Sequence, residues 1–226
     1  MAWSAVAQEN LGERARIVPR PPVVLFRRGY PLVKRLLDVA FCLAILPFAL
    51  VLMALCAVLI RLDDRGPVIF KQERTGKGGR RFPMFKFRTM VPDAAALKQQ
   101  LLHLNEHSGP DFKITHDPRV TRVGAFLRKT SLDELPQILN VLRGDMSLVG
   151  PRPTSFAMQT YHLWHTERLE VVPGLTGLWQ VNGRGDLDFD DRVRLDIEYI
   201  ERRCLRLDLE ILVRTVAAVF KQQGAY

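Results

Sequence analysis

Two adjacent carboxylates, Asp133 and Glu134, stand in the segment Arg128-Lys-Thr-Ser131-Leu-Asp-Glu-Leu-Pro136 and offer the most specific chemistry in the chain. A carboxylate beside a helix N-terminus stays ionised, and an ionised aspartate can attack phosphorus to form an acyl phosphate. Glu134, about 100° further round a helix, is placed to hold a Mg²⁺ ion that also binds the phosphates of a donor. Phosphoryl transfer depends on positioning and charge neutralisation, so cations belong close by, and Arg128 falls one turn upstream of Asp133. The same residues also fit a bland role: Ser131 followed three positions on by Glu134 is a capping box, which opens helices of every function. A second candidate is Gly150-Pro-Arg152-Pro153, where two prolines stiffen the backbone under one guanidinium suited to bidentate phosphate binding. An ordinary exposed turn accounts for it as well.

These residues need a scaffold, and its plainest part is an uncharged apolar run of 22 residues from Val39 to Ile60. As a helix it rises roughly 33 Å, against roughly 30 Å for the hydrocarbon core of a bilayer. Pro47 interrupts the run, removes a backbone hydrogen bond and pushes on the Leu43 carbonyl, which predicts a kink. The two arms would reach roughly 12 Å and 20 Å, so a helix-break-helix that enters and leaves one face is feasible, as is a kinked helix that spans. The 38 residues ahead of the run and the lack of a clean cleavage pattern argue against a secretory signal, so the segment is expected to be retained.

Charge follows the same segment. The chain carries +9 overall, of which residues 1–38 hold +4 and residues 61–90 hold +6, leaving −1 for the rest. A basic collar on both flanks of an apolar run suits anionic headgroups on a cytoplasmic membrane face. Nucleic-acid binding, the rival use of such charge, lacks its motifs here. Thr75-Gly-Lys-Gly-Gly79 lacks the spacing of a nucleotide-binding P-loop and is better read as a turn. Three cysteines, two of them in the apolar run, make no disulfide framework and point to a reducing compartment.

The pattern predicts a loose tail over residues 1–30, a membrane helix over 31–62 with Pro31 in its first turn, and a catalytic domain with interfacial helices over 63–226. Apolar segments either side of Thr75–Gly79 predict a β-hairpin. Helices are expected over 93–107, over Ser131–Arg143 with Gly144 as its stop, and over Asp190–Arg203 and Leu207–Lys221, the last suited to a membrane surface. The fold class is therefore α+β and mostly helical, with a small hairpin.

Six motifs occur in order: Lys34-Arg-x-x-Asp38, Gly66-Pro-Val-x-Phe-Lys-Gln-Glu-Arg74, Phe85-Lys-Phe-Arg-Thr-Met90, Ser131-Leu-Asp-Glu-Leu-Pro-Gln137, Gly144-Asp-Met-Ser-Leu-Val-Gly-Pro-Arg-Pro153 and Pro173-Gly-Leu-Thr-Gly-Leu-Trp-Gln-Val181. Over residues 31–226 this order resembles the monotopic phosphoglycosyl transferases, the bacterial sugar transferase family. The resemblance implies that Asp133 attacks the β-phosphate of a UDP-sugar, releasing UMP and leaving a phosphosugar on the enzyme. Polyprenyl (undecaprenyl) phosphate then displaces the aspartate. It implies further that Glu134 is a Mg²⁺ ligand, that Arg128 and Arg152 bind phosphate, and that the segment around Pro47 is re-entrant, placing a monotopic enzyme on the cytoplasmic face of the bacterial inner membrane. Leu46 departs from the serine that small members often carry before that proline. Lys71, Arg74, Lys86 and Arg88 are candidates to guide the carrier phosphate, although a solvated, lipid-attracted hairpin face explains them too. Arg184, after the Trp179 motif, is a candidate contact for nucleotide or phosphate. The expected partners are a UDP-sugar, polyprenyl phosphate and membrane lipids, with no nucleic acid and with a homodimer left open. The competing class is a non-catalytic membrane-attached module, in which the carboxylates only cap and the arginines only hold lipid.

Overall fold

A computed structural model of the chain describes residues 29–106, 112, 114–157, 160–183 and 187–220. The expected tail over residues 1–30 lies almost wholly outside these residues.

Helix α1, Tyr30–Asp63, opens with Pro31 in its first turn, where a missing N–H is harmless. Its 34 residues form one uninterrupted α-helix with Pro47 inside, so the break expected there does not divide it into two arms. One lost hydrogen bond is tolerated because packing on either side holds the helix: Ile45 and Leu46 lie against the core and Ala49 is buried in it. Fourteen large apolar side chains of α1 are exposed, Phe48 at 80% among them. Burying each such side chain stabilises by about 1.5–3 kcal/mol, so this face outweighs the roughly 5–15 kcal/mol of a whole domain's stability. It needs an apolar covering. Among the described residues, α1 is the one helix long and apolar enough to cross a membrane.

Both ends of α1 are tied to the rest of the chain. At its start, Lys34 pairs with Asp208 at 2.9 Å, Arg35 donates to the carbonyls of Val141 and Leu142, and buried Asp38 accepts from Ser147 Oγ at 2.7 Å. At its end, Asp63 accepts from the Val123 amide at 3.0 Å and Asp64 pairs with Arg88 at 2.6 Å.

Strands β1 (Ile69–Thr75) and β2 (Arg81–Phe87) form an antiparallel hairpin, its turn made by Gly78 and Gly79 at positive φ. Helix α2 (Ala94–Gln100) is shorter than its sequence suggests and ends in a 3₁₀ turn, Leu102–Leu104. Helix α3 (Arg122–Lys129) is capped by Thr121, whose side chain accepts from the Gly124 amide. Next come a 3₁₀ segment, Leu132–Gln137, and helix α4, Ile138–Arg143, which stops at Gly144 in the left-handed conformation (φ 86°) as expected. Strands β3 (Ser147–Val149) and β4 (Gly174–Thr176) pair in parallel. Helices α5 (Leu178–Asn182), α6 (Phe189–Arg202) and α7 (Leu205–Phe220) complete the order. The principal core joins Cys42 of α1, Met84 of β2, Val141 of α4, Val149 of β3 and Ile211 of α7. The α7 stripe Leu205, Leu209, Val213 and Val216 remains exposed, recurring nearly every fourth residue.

Candidate active site

The segment carrying Asp133 and Glu134 is not the capped α-helix that its spacing allows. Ser131 has φ 58°, the sole non-glycine positive φ among the described residues, and its side chain makes no capping hydrogen bond. This conformation costs about 1–2 kcal/mol for a residue with a side chain. It turns the chain sharply from α3 into the 3₁₀ segment, so Leu132, Asp133 and Glu134 leave the turn on separate sides. The Glu134 carboxylate, free of the capping role, receives both nitrogens of Arg152 and the Lys86 ammonium, the latter at 2.8 Å. Lys86 also lies 3.6 Å from Asp133.

Two supports bring these groups together. Lys86 shares its strand face with buried Phe82 and Met84, so β2 aims it inward, and fully buried Asn140 of α4 fixes the strand there. The Asn140 side chain accepts from the Phe85 amide at 3.0 Å and donates to the Pro83 carbonyl at 2.8 Å. Arg152 rides on the loop after β3, which lies backbone to backbone against β4: Gly150 donates to Thr176, Gly174 donates to Pro151, and Arg152 reaches the Leu175 carbonyl. A Cβ on Gly174 would stand 2.1 Å from the Gly150 nitrogen, so that approach requires glycine.

The two carboxylates are electrostatically opposite. Burial raises the pKa of Asp133 above the usual carboxylate value; Lys86 works against this, Glu134 adds to it, and the net shift is upward. Burial also disfavours the charge on Glu134, but Arg152 and Lys86 outweigh it and hold that carboxyl well below its usual range. One group is thus a firmly charged anchor for cations, and its neighbour a partly desolvated carboxylate. Desolvation strips a nucleophile of its water shell. Arg128, half-buried, donates to Thr89 at 2.9 Å and acts on Asp133 through its charge.

Other expected residues fall elsewhere. Arg88 is 7% exposed, and its guanidinium is engaged by Asp64 and the Pro67 carbonyl, so it locks the end of α1 to the hairpin instead of offering itself to a phosphate. Lys71 pairs in register with Phe85, on the hairpin face opposite Lys86, and lies exposed over the Phe85 ring. Arg74 donates to the Pro153 carbonyl and so braces the Arg152 loop. Arg184 lies outside the described residues. Lys86 was legible only as one of four hairpin cations; the sharper signal is a lysine on the core-facing register of a strand.

A metal ion has limited protein ligands here. No group of three or more His, Cys, Asp or Glu side chains is assembled among the described residues. Arg152 and Lys86 already engage the Glu134 carboxylate, so a Mg²⁺ ion there would share or displace those contacts and draw the rest of its shell from substrate phosphates and water, the usual habit of that ion.

Comparison with known proteins places the chain in a family. The bacterial sugar transferase family is matched over residues 29–222. The chain is 42% identical to the galactosyl transferase CpsE of Streptococcus agalactiae, over 98% of this chain and 51% of that protein. It is 40% identical to the exopolysaccharide production protein ExoY of Rhizobium meliloti, over 85% of this chain and 88% of that protein. It is 42% identical to a UDP-glucose:undecaprenyl-phosphate glucose-1-phosphate transferase of Caulobacter vibrioides, over 96% of this chain and 81% of that protein. The chain spans about half the length, or somewhat less, of several other relatives.

Proposed function

Because this chain belongs to the bacterial sugar transferase family, we propose that it transfers a sugar 1-phosphate from a UDP-sugar to polyprenyl phosphate, with Asp133 as nucleophile. An Asp133 oxygen attacks the phosphorus that bears the sugar, the bond to the bridging oxygen breaks, and UMP leaves with that oxygen. A phosphate oxygen of the carrier then attacks the same phosphorus and the Asp133 carboxylate departs, giving polyprenyl-diphosphate-sugar. Names of relatives that specify undecaprenyl phosphate support the carrier, and exopolysaccharide relatives support a first membrane step in surface polysaccharide assembly.

The observation that carries this reading is the juxtaposition of Asp133 and Glu134 with Lys86, Arg152 and the charge of Arg128. A diphosphate brings negative charge that these cations can balance, and Arg152 supplies a guanidinium fork for its oxygens. Glu134 would hold a Mg²⁺ ion, which supplies further charge neutralisation on the diphosphate. Lys86 steadies the ionised form of Asp133. The test is to incubate purified protein with Mg²⁺, polyprenyl phosphate and a panel of UDP-sugars. UMP is expected from at least one donor; UDP in its place indicates ordinary glycosyl transfer, and no nucleotide from any donor overturns the proposal.

The raised pKa of Asp133 has a pH consequence. Attack needs the ionised carboxylate, so the acidic limb of kcat/KM should lie above the usual carboxylate range, activity rising with pH through it. Lys86→Met removes the nearest cation and should move that limb upward. A limb unchanged in the variant contradicts this account of Lys86.

We also propose that both ends of α1 lie at the same membrane face, with α7 lying along it. Contacts of both α1 ends with one domain support this topology, because the ends of a spanning helix would be separated by the bilayer. Its apolar face and the α7 stripe would then meet lipid on the cytoplasmic side of the inner membrane. In a Cys204→Ser background, Leu32→Cys and Leu62→Cys should both react with an impermeant maleimide from the cytoplasmic face. Labelling from opposite faces refutes the topology.

A further inference from the structure

The loop bearing Arg152 is held from a direction the catalytic groups do not account for. Arg168, in the 3₁₀ segment Leu163–Leu169, is 5% exposed. Its Nη2 donates to the Arg152 carbonyl at 2.8 Å and also to the carboxylate of Asp196 on α6. Asp196 is wholly buried, and its second oxygen, Oδ1, has no hydrogen-bond partner among the described residues. Neither residue belongs to any of the motifs read from the sequence.

A pair of this kind is a poor device for stability alone. Both charges lose their hydration, and the attraction between them offsets that loss fully only when the remaining lone pairs are also satisfied. The bare Oδ1 shows that they are not. Burial drives the Asp196 pKa up to about 6, with Arg168 opposing it. What the pair does secure is one atom, the carbonyl oxygen of the residue whose side chain holds Glu134. Arg74 on the Pro153 carbonyl and the glycine contacts with β4 brace the adjoining peptide groups. The backbone under Arg152 is therefore fixed on more than one side, while its guanidinium faces the carboxylate pair.

We propose that Arg168 and Asp196 are positioning residues for donor binding: they fix the Arg152 carbonyl and so set where the Arg152 guanidinium meets the diphosphate of a sugar nucleotide. This rests on the reading of Arg152 as a donor-phosphate ligand. Neither residue touches substrate. Asp196 orients Arg168, and Arg168 acts through the peptide group of Arg152.

The test uses the full chain in detergent and UDP with Mg²⁺ as the probe. Arg168→Gln alone leaves Asp196 buried without a counter-charge and is open to misfolding, so the paired variant Arg168→Gln/Asp196→Asn, which removes both charges and retains hydrogen-bonding groups, is measured with it. The paired variant should fold, bind UDP about 10- to 100-fold more weakly, and show faster amide exchange in residues 150–156. The KM for polyprenyl phosphate should stay unchanged. In an Arg152→Gln background the same two substitutions should weaken UDP binding no further, because their effect passes through Arg152. Unchanged UDP affinity in folded protein, unchanged exchange in 150–156, or a penalty additive with Arg152→Gln would each overturn the proposal. Failure of the wild-type chain to release UMP would instead count against the proposed reaction, and the exchange measurement would still decide whether the pair fixes the loop.

Discussion

Asp133→Asn is expected to lower transfer by about 10³-fold or more, the scale of losing a covalent nucleophile, while leaving the fold intact. Asparagine matches aspartate in shape but its amide cannot form and release an acyl phosphate. The surrounding cations keep Glu134 as counter-charge, so the exchange strands no ion. Stability should hold or rise slightly, for a reason that follows from the sign of the pKa shift. A group whose folded pKa is raised favours the protonated, neutral form, and its stabilisation is present below the unfolded pKa and lost as pH rises through the folded one. At neutral pH the ionised Asp133 is therefore a cost that Asn removes. Thermal unfolding and UMP release measured on one preparation check both halves. Activity near wild type would show that Asp133 is not the nucleophile; a collapse of stability would show that the loss says nothing about chemistry.

Glu134→Gln is the second large effect, and the contrast with its neighbour is informative. Here transfer should fall by roughly 10²- to 10³-fold, the usual scale for removing one preorganised charge-stabilising group, and stability should fall with it. Glu134 has a depressed folded pKa, so its stabilisation is present above the unfolded pKa and is lost as pH falls through the folded value. Gln takes it away at every pH. Arg152 and Lys86 are left facing each other without the carboxylate that both engage, and breaking a buried ion pair from one side costs about 3–5 kcal/mol. Partial exposure of the three side chains makes the lower end of that range the better guide. Equal thermal behaviour of the two variants in calorimetry would contradict this assignment of opposite electrostatic roles.

Much of this site was legible in the residues themselves. The carboxylate pair, Arg128 and Arg152 were marked by type and spacing, and so were the hairpin turn at Gly78–Gly79 and the stop at Gly144. The uncharged run from Val39 to Ile60 announced α1, because no soluble surface tolerates so many exposed apolar groups. Local pattern failed where tertiary contacts decide. Ser131 and Glu134 satisfy the capping-box rule, yet the cations of β2 and of the Arg152 loop compete for Glu134 and win, leaving Ser131 left-handed and uncapped. Pro47 predicts two arms, but side chains on both sides of it are held against the core and the helix continues. Arg88 looked like its neighbour Lys86, two positions away on one strand face by simple alternation. It lies past the end of β2, where it meets Asp64 at the far end of α1, a partner that spacing along the chain cannot reveal. Arg168 and Asp196 meet across 28 positions and carry no motif at all.

The central claim is a transient bond between Asp133 and phosphorus, and intact-protein mass spectrometry examines it directly. Protein mixed with its UDP-sugar and Mg²⁺, with no carrier phosphate present, should gain the mass of one sugar phosphate, located by digestion to the peptide containing Asp133 and discharged when polyprenyl phosphate is added. UMP formation that proceeds only when carrier is present, with no adduct under rapid quench and an Asp133→Asn variant equally active, would contradict it.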